Sequence, residues 1–411
     1  MSSPAQSPPV SARRDVPRAP NGAAPGRARM DNKRLLQLGG LSLLVLALAL
    51  YPILDSSATG LVNVSNLADT GVYILLALGL NIVIGYAGLL DLGYAAFFAI
   101  GSYTYALLAS PQHQQNYSFW LLLAVAAGVA ALFGGVLGAP TLRLRGDYLA
   151  IVTLGFGEIV PTFFLNAEPI TGGTNGISGV YHPILGIPGT NIGFNFGQDS
   201  RPYFYLVMVM IMLAVPAILR MRDSRVGRAW MAIREDELAA AAMGIDTTRT
   251  KLLAFATGAA FSGFAGCVYA SKLAFIGPGQ FDFNVSVFVL CMIILGGLGN
   301  IWGVMLGAAS LYLLQTYLLV RLPGWLQTLG TDNHIDFLVK TDFSGLRYLI
   351  YGVALVGMMI VRPEGLIPSG RRKAELHPET AELAKRESEQ ELYDVRETGQ
   401  QDSDTRGGGE S

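Results

Sequence analysis

The chain has 411 residues, 51% of them hydrophobic and 14% charged, with a formal net charge of −1. A mean hydropathy of +0.42 excludes the two or three soluble domains that length alone suggests. The two cysteines, Cys267 and Cys291, each fall inside an apolar run, and the four histidines are scattered, which leaves neither a disulfide framework nor a metal-ligand cluster.

Residues 1–34 are rich in Pro, Ser, Ala and Arg and have no hydrophobic period. So long a polar lead predicts a disordered cytoplasmic tail and a retained first crossing, not a cleavable signal peptide. Apolar runs of about 17–22 residues follow, the length that spans about 30 Å of hydrocarbon. Ten crossings fit best, at about 35–54, 66–86, 94–110, 119–139, 147–165, 202–219, 252–273, 285–299, 301–320 and 345–361; the eighth is short and Gly-interrupted, which leaves the count open between eight and eleven. The expected fold is therefore an all-α integral membrane bundle with broken, Gly-rich segments. Its domains are the 1–34 tail, a 35–361 transmembrane part and a charged 362–411 tail.

Lysine and arginine in short loops set the orientation. With the N-terminus inside, the cytoplasm receives Lys33, Arg34, Arg143, Arg145, the basic cluster of 220–251, Arg362 and Arg371–Lys373, and the outside receives Arg201, Arg321 and Lys340. Both termini are then cytoplasmic.

Glycines concentrate in Gly85-Tyr86-Ala87-Gly88-Leu89-Leu90-Asp91-Leu92-Gly93 and in Gly296-Gly297-Leu298-Gly299-Asn300. Broken backbone at membrane depth is tolerated only where protein or a watery cavity satisfies its polar groups. Corresponding breaks in two halves point to a transport route, and Gly85 and Gly88 can be laid over Gly296 and Gly299. Candidate pathway residues are thus Asn81, Gly85, Gly88, Asp91, Glu158, Gly296, Gly297 and Gly299. Close helix packing through small residues is the competing account. Glu158 lies deep in an apolar run, where an ionised carboxylate costs about 2.5–3.5 kcal/mol. It either lines a passage or fixes an interhelical contact.

Two external loops are long. One, 166–201, contains Gly172, Gly173, Asn175 and Gly176, a candidate docking surface for an extracytoplasmic partner; the other, 321–344, contains Asp332, Asp336 and Asp342. Plain connectors would look the same.

The stretch from Arg220 to Lys251 is polar and basic, with Arg222, Arg225, Arg228, Arg234 and Arg249 between its ends. Met231–Gly244 favours helix, and Gly244 supplies a stop. Ile233, Leu238, Ala241 and Ala242 form a short apolar face, rimmed by Glu235, Asp236 and Glu237. Such a face suits docking in a partner's groove. A membrane-surface helix is the alternative, against which the acidic triplet argues. The chain has no Gly-x-x-x-x-Gly-Lys-Ser/Thr phosphate loop, no nucleophile–base pair and no dinucleotide fingerprint, so any motor belongs to another subunit.

Taken in order, several runs resemble one family. They are Ala77-Leu78-Gly79-Leu80-Asn81, Gly85-Tyr86-Ala87-Gly88, Leu142-Arg143-Leu144-Arg145-Gly146-Asp147-Tyr148-Leu149-Ala150, Gly155-Phe156-Gly157-Glu158-Ile159, Thr171–Gly176, Gly227-Arg228-Ala229-Trp230 and Arg362-Pro363-Glu364-Gly365-Leu366. Across about residues 66–368 they are similar to the permeases of bacterial branched-chain amino-acid ABC importers, in particular the LivM branch. The resemblance implies a permease without its own ATPase site, working in the bacterial inner membrane with a second homologous permease, two cytoplasmic ATPases and an extracytoplasmic amino-acid-binding protein. It implies no cofactor in this chain, since ATP and Mg are bound by the ATPases, and no nucleic acid. It also implies a coupling helix that includes Arg234, Glu235, Asp236, Glu237, Ala239, Ala240 and Gly244. A urea or short-amide importer permease, and an ion-coupled amino-acid transporter using Glu158 or Asp91, remain open on these residues.

Overall fold

The computed structural model describes residues 63–111, 117–141, 147–186, 193–197 and 200–318, together with Tyr51 and isolated positions beyond 320. The predicted crossings at 35–54 and 345–361, both tails, the Arg143–Arg145 run and the 321–344 loop lie outside the described residues or touch them only at single positions.

The elements follow the apolar runs. They are α1 (Val64–Asn81), α2 (Tyr94–Leu108), α3 (Phe119–Thr141), α4 (Asp147–Asn166) and α5 (Arg201–Asp223). Then come α6 (Arg225–Glu235), α7 (Glu237–Ala242), α8 (Thr247–Leu273), α9 (Phe283–Gly296) and α10 (Ile301–Leu313). Six helices among the described residues are long and apolar enough to cross a membrane. The predicted crossings at 66–86, 119–139, 147–165, 202–219 and 252–273 match five of them to within a few residues. α5 runs on to Asp223 because Arg220 and Arg222 sit in its last turn, where cations favour the helix dipole.

α8 is the central post, with α1, α2 and α3 packed along it. Small residues permit the approach: Gly101 faces the backbone of Gly263, and Gly263 in turn faces Ala126 and Ala127. The Ser102 hydroxyl completes this seam beside the Phe98 carbonyl at 2.8 Å and the Gly266 carbonyl at 3.1 Å. α9 and α10 pair through Gly296, Gly303 and Gly307.

One end of the bundle, the basic end, carries α6 and α7. The opposite end carries two short antiparallel ribbons. β1 (Ile177–Ser178) pairs with β4 (Phe275–Ile276), and β2 (Ile184–Gly186) pairs with β3 (Gly193–Asn195). At that end Lys272 donates to the Asp69 carboxylate and, at 2.8 Å, to the Ser65 carbonyl. These bonds tie the end of α8 to the start of α1.

The sequence predicted one helix over Met231–Gly244, and the chain instead breaks at Asp236. That residue is extended, with φ −154° and ψ 112°, and its carboxylate accepts from Leu238 N at 2.8 Å and Ala239 N at 3.0 Å. Aspartate competes for backbone donors in this way wherever it can cap, so it starts a new helix in preference to continuing the old one. Both pieces are anchored to α8. Trp230 is fully buried, and its indole N–H donates to the Thr250 carbonyl at 2.8 Å. Lys251 at the base of α8 pairs with Glu237 at the start of α7. Trp230→Ala should therefore cost about 3–5 kcal/mol through the cavity it leaves, read as a lowered thermal midpoint of the purified chain.

Candidate functional site

The site assembles where the first glycine break meets α6. α1 ends in a π-helical turn, Ile82–Tyr86. Arg234, in the last turn of α6, donates from its guanidinium to the Gly85 carbonyl of that turn. Its aliphatic stem lies on Gly88, which has φ +70°; a Cβ there would stand 2.8 Å from Arg234 Cγ. Glycine is needed at this position on both counts, since L side chains avoid that backbone region and no space exists for one.

Gly88 and Leu90 are exposed, while Leu89, Asp91 and Gly93 are buried. The chain runs back into the bundle as a non-helical segment and restarts as α2 at Tyr94. α2 begins well inside the bundle, because the Tyr94 hydroxyl donates to the Gly258 carbonyl of α8 at 3.0 Å. Ala95 N likewise donates to the Ser286 hydroxyl of α9 at 2.9 Å. Three N–H groups of this broken backbone are met internally. Leu89 N donates to the Val83 carbonyl at 3.1 Å, Leu92 N to the Thr153 hydroxyl of α4 at 3.1 Å, and Gly93 N to Asp91 Oδ1 at 2.9 Å. Asp91 is buried, and its Oδ2 has no hydrogen-bond partner among the described residues.

The second glycine break joins the first. Asn81 Oδ1 accepts from Gly299 N at 3.0 Å, while Asn81 Nδ2 is buried without a partner among the described residues. A Cβ on Gly85 would lie 2.9 Å from Gly299 N. Gly296 carries the close contact with α10, and Gly297, at φ +112°, packs against Gly365. The Gly296 carbonyl accepts from Ile367 N at 3.1 Å.

Asn81, Gly85, Gly88, Gly296, Gly297 and Gly299 are thus gathered at one junction with Arg234, and Asp91 lies further into the bundle. Glu158 is elsewhere. It is exposed on the outer face of α4, in a strip with Ile151, Gly155, Ile159, Thr162 and Phe163. The inner face of the same helix carries Thr153 and Gly157, which touch the re-entrant segment.

On α7, Ala240 is buried, while Leu238 is 66% and Met243 84% exposed beside exposed Ala239, Ala241 and Ala242. Gly244 ends the unit at φ +86°. Of the acidic rim, Asp236 caps α7, Glu237 is engaged by Lys251, and Glu235 is exposed. Ile233 faces inward and is buried, so the apolar face offered outward is Leu238, Ala241, Ala242 and Met243.

At the opposite end Gly172, Gly173 and Gly176 all have positive φ, +72°, +55° and +64°. They fold Thr171–Gly176 into a knot whose Thr171 hydroxyl bonds the Phe164 and Ala167 carbonyls at 2.6 and 2.9 Å, leaving Thr174 and Asn175 exposed.

Sequence reasoning singled out Trp230 and Lys251 without their anchoring contacts, and passed over the Thr153 contact and the Asp69–Lys272 pair. A lone Lys272 near the end of a long apolar run was a usable signal, because a buried ammonium must find a partner.

Several membrane-crossing helices, a re-entrant glycine break and a helical hook anchored at the basic end define a multi-pass membrane transport protein. The chain belongs to the family described as branched-chain amino acid transport system / permease component, which matches residues 62–359. It is 39% identical over 358 residues to the high-affinity branched-chain amino acid transport system permease protein LivM of Salmonella typhimurium, covering 82% of this chain and 76% of that protein. Against the LivM protein of Escherichia coli the identity is 41% over 358 residues, with 82% and 76% covered. The permease protein LivH of Salmonella typhimurium is 28% identical over 251 residues, covering 58% of this chain and 79% of LivH. The relatives therefore include two different permease proteins of a like-named system. No solved structure matches the chain.

Proposed function

We propose that this chain is one of two permease subunits of an ATP-driven importer for branched-chain or other neutral amino acids in the bacterial inner membrane. It crosses the membrane ten times with both termini in the cytoplasm. A binding protein delivers the amino acid to the Thr171–Gly176 end, two cytoplasmic ATPases bind ATP and Mg, and their closure is received by α6 and α7. This chain itself needs no cofactor. The observation that carries the reading is α7. It is held from behind by Lys251–Glu237 and follows α6, which Trp230 anchors, yet it turns Leu238, Ala241, Ala242 and Met243 outward. A short apolar face on a braced mount is a surface that a partner can push.

The passage runs along the outer face of α4 against the second permease. Glu158, Gly155 and Thr162 suit a wet or protein-covered surface better than a lipid-facing one. A neutral zwitterion needs no compensating charge there, only weak polar contacts that release it.

The test is a cysteine at Met243 in the assembled importer. Cross-linking to an ATPase subunit, together with at least a tenfold loss of leucine uptake in Leu238→Arg, is expected. Leucine accumulation by this permease pair without the ATPases would overturn the reading.

A further inference from the structure

We propose that the re-entrant segment Gly88–Gly93 is a strut that carries displacement of α6 and α7 to the passage helix α4, with Arg234 and Thr153 as the positioning residues at its two ends. The inference rests on the reading of α7 as the part the ATPases push, and goes beyond it by assigning the route inside the membrane.

Both ends of the strut are pinned. At the first, Arg234 holds Gly85 through its guanidinium and Gly88 through its stem, so rotation of α6 must move the turn that starts the segment. At the second, Gly93 lies directly on α4. A Cβ on Gly93 would meet the Thr153 carbonyl and come within 3.2 Å of Gly157 N, and a Cβ on Gly157 would lie 3.0 Å from Gly93 Cα. Leu92 N adds its 3.1 Å bond to the Thr153 hydroxyl. That hydroxyl is itself held by donating to the Ala150 carbonyl at 3.1 Å.

The middle is braced as well. Leu89 N is bonded to the Val83 carbonyl, and Asp91 closes a local turn onto Gly93 N. Leu89, Asp91 and Gly93 are buried. Gly88 and Leu90 are exposed and Leu92 is half-buried, so the alternate buried residues, held at both ends and packed against the bundle, are what pass the displacement on. α4 is a suitable receiver, since the strut bears on Thr153 and Gly157 while the opposite face of the same helix presents Gly155 and Glu158. An inward step of the strut therefore moves the face along the proposed passage.

The experiment uses the whole importer in proteoliposomes and records leucine uptake and ATP hydrolysis together. Thr153→Val removes the acceptor at one end, and Arg234→Ala removes the grip at the other. Thr153→Val is expected to assemble and hydrolyse ATP like the parent while leucine moved per ATP falls about tenfold, and Arg234→Ala is expected to lower the same ratio about as far. Thr153→Ser, which keeps the hydroxyl, should restore the ratio. The double variant should be no worse than either single one, because both cut the same route. A spin label at Ile159 adds a second readout, in which the shift seen with a non-hydrolysed ATP analogue disappears in Thr153→Val. If Arg234→Ala fails to assemble, the Ile159 label in Thr153→Val decides alone. An unchanged uptake ratio and label shift, or losses that multiply in the double variant, would overturn the strut. Failure of the α7 reading would show differently, as an absent Met243 cross-link in the parent complex.

Discussion

Replacing Asp69 by alanine should remove most of the folded chain from the membrane, although Asp69 touches nothing proposed to move. Asp69 sits near the start of α1 and Lys272 near the end of α8, and the lysine also donates to the Ser65 carbonyl at 2.8 Å. Both side chains are largely buried, at 19% and 8% exposure. Removing the carboxylate leaves an ammonium with one carbonyl in place of a counter-charge, and a broken buried pair of this kind costs about 3–5 kcal/mol. Asp69→Leu combined with Lys272→Met should recover much of that loss, since two apolar groups of similar volume need no solvation. Yield and thermal midpoint of the detergent-solubilised chain measure both effects. A single variant as stable as the parent would mean that the pair is not what ties α1 to α8.

Much of the helical layout was legible, because a crossing imposes a length and a composition. α3 and α4 appear as apolar runs whose ends differ from the predicted ones by a residue or two. The glycine breaks were legible as breaks for the same reason, since glycine is poorly suited to an uninterrupted helix. Their partnership was not. Asn81 and Gly299 stand 218 positions apart, and no local pattern says that one receives the other's N–H. The laying of Gly85 and Gly88 over Gly296 and Gly299 was a comparison of spacing; the contact of Gly85 with Gly299 is a tertiary fact. Thr153 was invisible for a related reason. A single threonine in an apolar helix normally bonds its own turn, and only the arrival of Leu92 gives its oxygen a second task. The break at Asp236 could have been read, because aspartate ahead of Glu-Leu-Ala-Ala-Ala-Ala is a strong cap signal.

The acidic rim shows how a motif can be right in place and differ in detail. Glu235, Asp236 and Glu237 read as three groups for a partner, yet Asp236 is spent on the cap and Glu237 on Lys251. What remains for docking is mostly apolar, Leu238 with Met243 at the far end of α7. Docking there should consequently depend more on apolar contact than on ionic strength.

Gly155→Trp should leave the chain folded and lower uptake at least tenfold. A Cβ on Gly155 meets nothing within 4 Å and the position is exposed, so the indole starts into open space on this subunit. The same space is occupied in the importer if α4 faces the second permease or a wet passage. Glu158, one turn further along and exposed, is the reason to expect that: an ionised carboxylate directed into hydrocarbon costs about 2.5–3.5 kcal/mol, and a protein or water neighbour avoids the cost. The matched control is Leu132→Trp on α3, whose exposed Leu132, Phe133 and Val136 are the apolar surface that lipid covers without penalty. Leucine uptake by reconstituted importers should fall at least tenfold for the first variant and stay near the parent for the second. Equal uptake in both would place the outer face of α4 against lipid, and the passage would then have to run elsewhere in the bundle.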